Sequence, residues 1–508
     1  MSEIAPKAAE STHWEPGPLA SLARMESYPW LVVGTVCIGA FMGQLDASIA
    51  QLVLPTLQTT FRSSLADVSW VSLAYLLVLA STLPIFGRLA DIYGRKLLYT
   101  GGFLVFILGS GLCGFAHSLG ILIAARVLQA IGAGLLQANS VAIITAAAGP
   151  QRRGRAIGIQ GAAQAIGLSL GPALGGLLIQ AIGWRWVFWI NVPAGILGTI
   201  LGWFILPRTE GMHLHDRGFD WLGAWLLTPA LALVLIALSE APSWGLASPL
   251  FIGCALAGIA LIVVFVLHQR RAKPPLIDLT LFKSHAFSAG NLAGLISYGL
   301  LFGVFLLVPF ALEGGYHDAP FAAGLRLATI PIALGIIAPF AGALSDKLGP
   351  RWLTAIGMAV AALSLVGLAF ALNGAPGSLL AVTALLAIFG LGQGLFTSPN
   401  NSAIMGAAPL HRLGAAGGVL NVTRTLGTSL GVAVASSLLS WAIASYGHFR
   451  DTLDAPRADL LAGIHDVLFV FAALALIAAG ISMLRGREEA LDEAHREEIA
   501  LIERSGGV

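Results

Sequence analysis

Apolar residues come along this chain in long, nearly unbroken runs, instead of the alternation of half-buried strands or the one-sided stripes of soluble helices. A helix that crosses the hydrocarbon of a bilayer needs about 20 such residues, and about fourteen runs are long enough. Their cores fall near 30–55, 68–87, 97–116, 120–147, 156–180, 186–206, 220–239, 247–267, 286–312, 322–344, 352–372, 377–406, 413–444 and 463–484. The 413–444 run is long enough to be expected to hold an interfacial turn. An even number of crossings places both chain ends on one side.

Composition narrows the class further. With 57% hydrophobic and 11% charged residues among 508, and a mean hydropathy of +0.83, the chain cannot clothe a water-soluble surface. Backbone groups in lipid must be satisfied within the segment, so the expected fold class is all-α integral membrane with 14 transmembrane helices. A formal net charge of +2, spread over loops, gives no reason to expect a nucleic-acid partner. Cys37, Cys113 and Cys254 lie inside apolar runs without ligand spacing, so neither a disulfide nor a metal site is expected. The first 28 residues form a polar tail unlike a cleaved leader.

Lys and Arg residues orient the chain. About 21 of the 28 fall on the side of the N-terminus, including Arg152, Arg153, Arg155, Arg270, Arg271, Lys273, Arg485 and Arg487, whereas about five, Arg62, Arg185, Arg326, Arg450 and Arg457, fall on the other. Both termini are therefore expected in the cytoplasm, with Trp184, Trp186 and Trp189 at the outer interface. No Gly-rich, Lys-containing nucleotide loop is present, which argues against direct drive by ATP.

The chain also repeats itself. Gly87, Asp91, Gly94, Arg95 and Lys96 between the second and third runs return about 255 positions later as Gly342, Asp346, Gly349 and Arg351. Gly158, Gly167, Ser169 and Gly171 return as Gly418, Gly427, Ser429 and Gly431, and Gly132 and Gly134 as Gly392 and Gly394, at an offset of about 260. Runs 1–6 and 9–14 are thus two halves of parallel topology, with runs 7 and 8 inserted between them. The expected organisation is a tail at 1–28, a six-helix bundle at 29–207, the inserted pair with linkers at 208–284, a second bundle at 285–485 and a tail at 486–508. In each copied loop an acid ends one helix and cations open the next, which suits a latch that opens and closes.

A charge at membrane depth is costly and marks a functional position. Asp46, Arg126 and Arg424 qualify. Burial disfavours charge on Asp46, which makes it a candidate proton carrier; its alternative role is as a fixed partner for an arginine. Arg126, Gln129, Gln137 and Ser140 fall within about 80 degrees of one another on an ideal helix, a polar stripe that needs a wet cavity or a partner. Asn421, Arg424 and Thr428 form a similar stripe. Gln44, Ser48 and Gln51 share a face of the first run nearly opposite Asp46. Gly167, Gly171, Pro172, Gly175 and Gly176 form a small-residue ridge that permits very close helix approach. Glu240 and Glu313 read as solvated acids at loop edges.

These motifs, taken in order, resemble the major facilitator superfamily in its fourteen-helix drug:H+ antiporter branch. The resemblance runs from about Pro29 to Arg485. It rests on Leu45 to Pro55, Gly87 to Lys96, Arg126 to Gly132, Gly171 to Gly176, and Trp184 to Pro193 with its Asn191. It implies two six-helix bundles plus an inserted hairpin, and a multidrug-efflux type of antiporter in the inner, cytoplasmic membrane, driven by the proton motive force without a bound cofactor. It further implies that Asp46 and Arg126 serve proton coupling, that Gly87 to Lys96 form the cytoplasmic latch, and that Gly167 to Gly176 are the antiporter motif. Gln51, Gln129, Gln137, Asn191, Asn421 and Arg424 are expected in the substrate cavity. Glu313 departs from the Gln common in the family and is a candidate second titrating acid. The expected partners are protons, lipid and a small amphipathic or cationic substrate; a periplasmic adaptor and outer-membrane channel are compatible with export. The alternatives are export of an endogenous metabolite, siderophore or lipid, and a polytopic membrane transferase, for which His465 and Asp466 are the nearest reactive pair.

Overall fold

A computed structural model describes residues 17–149, 152–208, 220–273, 275–409, 412–447 and 452–484. Among these residues there are fourteen helices long and apolar enough to cross a membrane. They are α1 (Tyr28–Phe61), α2 (Leu65–Ala90), α3 (Arg95–Gly114), α4 (Leu119–Ala148), α5 (Arg153–Ala181), α6 (Trp186–Ile205) and α7 (Trp221–Trp244). They continue with α8 (Pro249–Gln269), α9 (His285–Gly315), α10 (Pro320–Ser345), α11 (Pro350–Ala371), α12 (Pro376–Gly406), α13 (Ala415–Gly447) and α14 (Arg457–Met483). Several starts are fixed by a serine whose hydroxyl accepts a backbone N–H three residues on, as Ser64 does from Asp67 and Ser248 from Phe251. The face where α1 begins and α14 ends is called the near face, and its opposite the far face.

Helices α1–α6 and α9–α14 form two bundles with the same internal packing, α3 on α4 and α1 on α5 being matched by α11 on α12 and α9 on α13. The repeated glycines explain the match. A Cβ on Gly132 would strike the Phe106 backbone, and one on Gly392 the Ala361 backbone. Likewise Gly167 abuts the Phe41 carbonyl and Gly427 the Leu295 carbonyl. Each pair brings two helix backbones together where lipid supplies no hydrophobic drive and close van der Waals contact must serve instead. Gly94 (φ 98°) and Gly349 (φ 78°) make the corresponding tight turns between α2 and α3 and between α10 and α11.

The halves meet closely toward the far face. There Gly176 on α5 leaves no room between its Cα and the backbone of Pro320 and Phe321, and a Cβ on Gly324 would strike the Pro172 carbonyl. Gln58 near the end of α1 donates to Thr452 Oγ1 at 2.6 Å, adding a polar clasp at the same level.

The inserted hairpin straddles the junction of the halves, with α7 packed on both α2 and α13. Trp70 Nε1 donates to Glu240 at 3.2 Å, and Ser437 Oγ donates to the Leu238 carbonyl. At its near-face end, Asp220 caps α7 through Gly223 N at 2.8 Å and bonds His268 Nε2 and Gln269 Nε2, each at 2.6 Å. Burial pushes the Asp220 carboxyl up, but its bonds with His268, Gly223 and Gln269 outweigh this and hold it below the ordinary carboxylate value.

Four expectations are corrected. The 413–444 run holds no turn, because α13 is continuous through it. Glu240 is not a loop-edge acid, since α7 extends to Trp244 and brings its carboxylate to Trp70. Trp184 is buried, its ring edge-on to Phe61 and Phe188, instead of standing at the interface as the exposed Trp186 does. Glu313 is half-buried on a π-helical turn, Phe310–Gly315, with Oε1 buried; the turn packs on α14.

Two outcomes follow from this packing. Gly176→Val should wedge α5 from α10 at a cost of about 1–3 kcal/mol, lengthening spin-label distances between their far ends; an unchanged distribution would refute the close seam. Asp220→Ala should lower stability by about 1–2 kcal/mol. Because the depressed acid stabilises above its unfolded value and loses that contribution as pH falls through the folded one, the melting-temperature gap from wild type should narrow below about pH 4.

Candidate functional site

Two features lie side by side in the membrane interior, a sealed charge pair and a cavity. The pair is Asp46 on α1 and Arg126 on α4, at 0% and 1% exposure. Arg126 Nη1 donates to Asp46 Oδ2 at 2.6 Å and to Gln129 Oε1 at 2.7 Å, and Nε donates to the Val71 carbonyl of α2 at 3.0 Å. Gln129 Nε2 donates to Asp46 Oδ1 at 2.8 Å, and Asn191 Nδ2 of α6 to the same oxygen at 3.2 Å. Ser110 on α3 accepts from Gln129 at 3.1 Å and passes its own proton to the Phe188 carbonyl at 2.7 Å. The charges are therefore compensated both by each other and by a shell of dipoles, the condition under which a buried ion pair is tolerable.

The cavity, about 600 Å³, lies between the halves. Its walls come from the near-face portions of α4, α5, α10, α12 and α13, and from the middles of α1, α2 and α9. With the far-face seam closed, it belongs to the near-face side of the molecule. The first half contributes Gln44, Gln137 and Gln164; the second contributes Tyr298, Asn401 and Arg424. Phe302, Leu76 and Leu79 add apolar surface.

Tyr75 belongs to both features. It lines the cavity, and the Arg126 guanidinium lies 4.1 Å from its ring centroid, a cation–π contact. The single ring thus divides the cavity from the charge pair.

The sequence-derived candidates separate in an informative way. Gln137 and Arg424 line the cavity, whereas Gln129 and Asn191 are turned away from it to bond Asp46. Gln51 is buried with Oε1 unbonded, about one turn beyond the cavity toward the far face, and Asn421 lies outside the walls. Glu313 joins neither the pair nor the cavity. Gly167, Gly171, Pro172, Gly175 and Gly176 sit where α5 meets α1 and α10. In the latch loops Gly94 makes its turn, Gly87 borders open space, Lys96 is buried, and Arg351 lies over the Trp352 ring. The side chains of Asp91 and Asp346 lie outside the described residues. His465 and Asp466 stand 3.6 Å apart on α14, partly exposed, beside Tyr446 and Phe469.

Tyr75, Tyr298, Gln164 and Asn401 were not anticipated. Tyr75 and Tyr298 are isolated phenols within apolar runs, a signal available in the sequence but weaker than a charge.

Comparison with known proteins gives a consistent picture. A family model described as Major Facilitator Superfamily matches residues 36–432 and 290–500. The chain is 36% identical over 421 residues to the riboflavin transporter RibZ of Clostridioides difficile, covering 83% of this chain and 90% of that one. It is 34% identical over 412 residues to the multidrug resistance protein B homolog of Mycobacterium tuberculosis (80% and 76% covered). To the tetracenomycin C resistance and export protein of Streptomyces glaucescens it is 31% identical over 433 residues (84% and 80%). A solved bacterial homolog of the human lysosomal transporter Spinster, inward-facing and unoccupied, shares the fold with TM-score 0.67 at 17% identity, covering 91% of this chain and 97% of that one.

The charge pair makes a direct prediction. Arg126→Leu leaves Asp46 buried without its counter-charge and should cost about 3–5 kcal/mol, and adding Asp46→Asn should recover much of that loss. Thermal unfolding in detergent measures both; equal destabilisation of single and double variants would show that the pair is not the origin.

Proposed function

The chain belongs to the Major Facilitator Superfamily, and from that premise we propose that it is a proton-coupled antiporter exporting amphipathic compounds across the cytoplasmic membrane by alternating access. It is a multi-pass membrane transporter, not an enzyme. The observation that carries the proposal is the position of Tyr75 between a substrate-sized cavity and a buried acid. The excess of Lys and Arg in the near-face loops supports a cytoplasmic near face, and with it an inward-facing cavity and cytoplasmic termini.

In this reading a proton arriving on Asp46 cancels the charge that holds Arg126 Nη1. The guanidinium keeps the Val71 carbonyl, Gln129 Oε1 and the Tyr75 ring as partners, and shifts its weight toward them. Tyr75 then moves with it, altering the wall that substrate touches. Substrate and proton compete through the ring without sharing a ligand, which is the linkage exchange requires. The far-face seam at Gly176 and Gly324 opens as the near face closes, and the loops around Gly94 and Gly349 are the proposed latches on that motion. The scheme needs no cofactor; in it the energy comes from the proton gradient.

Two relatives whose names concern drug resistance or export favour toxic compounds as cargo. A second reading, transport of an endogenous metabolite, is favoured by the similarity to a riboflavin transporter.

Purified protein in liposomes with an imposed proton gradient should move an amphipathic dye against its concentration. Asp46→Asn should cut gradient-driven movement at least tenfold while retaining dye binding, and gradient-driven movement at the wild-type rate would exclude Asp46 as the coupling acid. Tyr75→Ala, which removes a contact of about 0.5–2 kcal/mol, should uncouple dye from proton flux, whereas Tyr75→Phe, which keeps the ring, should stay close to wild type.

A further inference from the structure

We infer that the cavity selects flat aromatic compounds carrying a negative charge, and that Arg424 is the selecting group. This inference rests on the transport reading above and specifies its substrate class.

Arg424 is the one charged side chain among the described residues that line the cavity, and no carboxylate lines it. It forms no ion pair among the described residues; its guanidinium lies 5.8 Å from the centroid of the Tyr298 ring. The contrast with Arg126 is chemical. Arg126 is neutralised by Asp46 and sealed behind Tyr75, while Asp46, the acid that would welcome a cation, is fully buried and forms no part of the cavity wall. The wall that substrate meets therefore carries a positive charge with no carboxylate among the described residues beside it, so that a ligand of opposite sign gains and one of like sign loses.

The neighbouring groups extend the assignment. The Tyr298 hydroxyl accepts a long bond of 3.4 Å from Asn401 Nδ2, which leaves its own proton available on the ring that the guanidinium lies over. A carboxylate, phenolate or ionised imide placed there meets a cation and an O–H donor together. Across the cavity, the side-chain amides of Gln44, Gln137 and Gln164 make no hydrogen bond to described residues, and they offer both donors and acceptors to carbonyls or hydroxyls at the far end of the same molecule. Between the two walls the rings of Tyr75, Tyr298 and Phe302 suit a fused aromatic body, and about 600 Å³ accommodates a ligand of drug size. A cation in the cavity would meet Arg424 on its wall and not Asp46, which is fully buried and outside that wall.

Xanthene dyes provide matched probes, fluorescein being anionic and rhodamine 6G cationic on one ring system. Fluorescence polarisation with the full-length protein in detergent at neutral pH should show fluorescein binding at least tenfold more tightly than rhodamine 6G. Arg424→Gln should weaken fluorescein binding at least tenfold without weakening rhodamine 6G, Arg424→Lys should keep part of the preference, and Arg424→Glu should reverse it. Retained rhodamine binding and an unchanged melting temperature show that the variants are folded. Equal or tighter binding of rhodamine 6G by the wild type, binding of neither dye, or a dye ratio untouched by Arg424→Glu overturns the inference. Efflux from loaded proteoliposomes is read separately. A protein that prefers fluorescein at equilibrium but does not move it against an opposing proton flux keeps the charge assignment and fails the export reading.

Discussion

A carboxylate and a guanidinium cannot remain charged in hydrocarbon unless each finds the other and the leftover lone pairs and protons are satisfied. Meeting that demand organises the first half of this protein. Asp46 on α1 and Arg126 on α4 draw in the Val71 carbonyl from α2, Ser110 from α3 and Asn191 from α6, so that five helices are referenced to one pair of charges. Among the described residues the second half has no such sealed pair, its ion pair Arg326–Asp318 being partly exposed. There α9 is held to α13 by backbone-to-backbone contact at Gly299 and Gly431, and to α12 by Ser297 donating to Gln393 at 2.6 Å. One bundle is thus keyed by a buried charge pair, the other by backbone packing and neutral hydrogen bonds.

Much of this architecture is written in one dimension. Runs of apolar residues locate the helices because the bilayer imposes a length, and the recurring glycines reveal the duplication because they mark where backbones touch. The side-chain partners are less legible. Helical periodicity places Arg126, Gln129 and Gln137 on one face of α4, yet Gln129 turns to Asp46 while Gln137 meets the cavity, a division set by where α1 and Tyr75 stand across from them. Asn191 belonged with substrate on the strength of resemblance, and only the packing of α6 on α1 brings it to the carboxylate. Arg126 and Arg424 look alike as single arginines in apolar runs. With one acid at comparable depth, both could not be neutralised, and that simple count foreshadowed the difference between them.

Glu240 illustrates another limit. Hydropathy ends α7 near residue 239 because an acid and a proline follow, but the helix continues through Pro242 to Trp244. The carboxylate is accommodated there because an indole N–H from another helix is waiting for it.

The placement of α7 has a consequence for the symmetry of the molecule. A molecule dissolved in the bilayer could reach a cavity between two bundles from either flank, through the slot between α2 and α13 or the slot between α5 and α10. At the depth of Trp70 and Ser437 the first slot is boarded over by α7, which is fastened to a helix of each bundle. The inserted pair thereby breaks the twofold internal likeness, covering the α2–α13 flank at the far-face level while, among the described residues, no inserted helix is fastened across the α5–α10 flank.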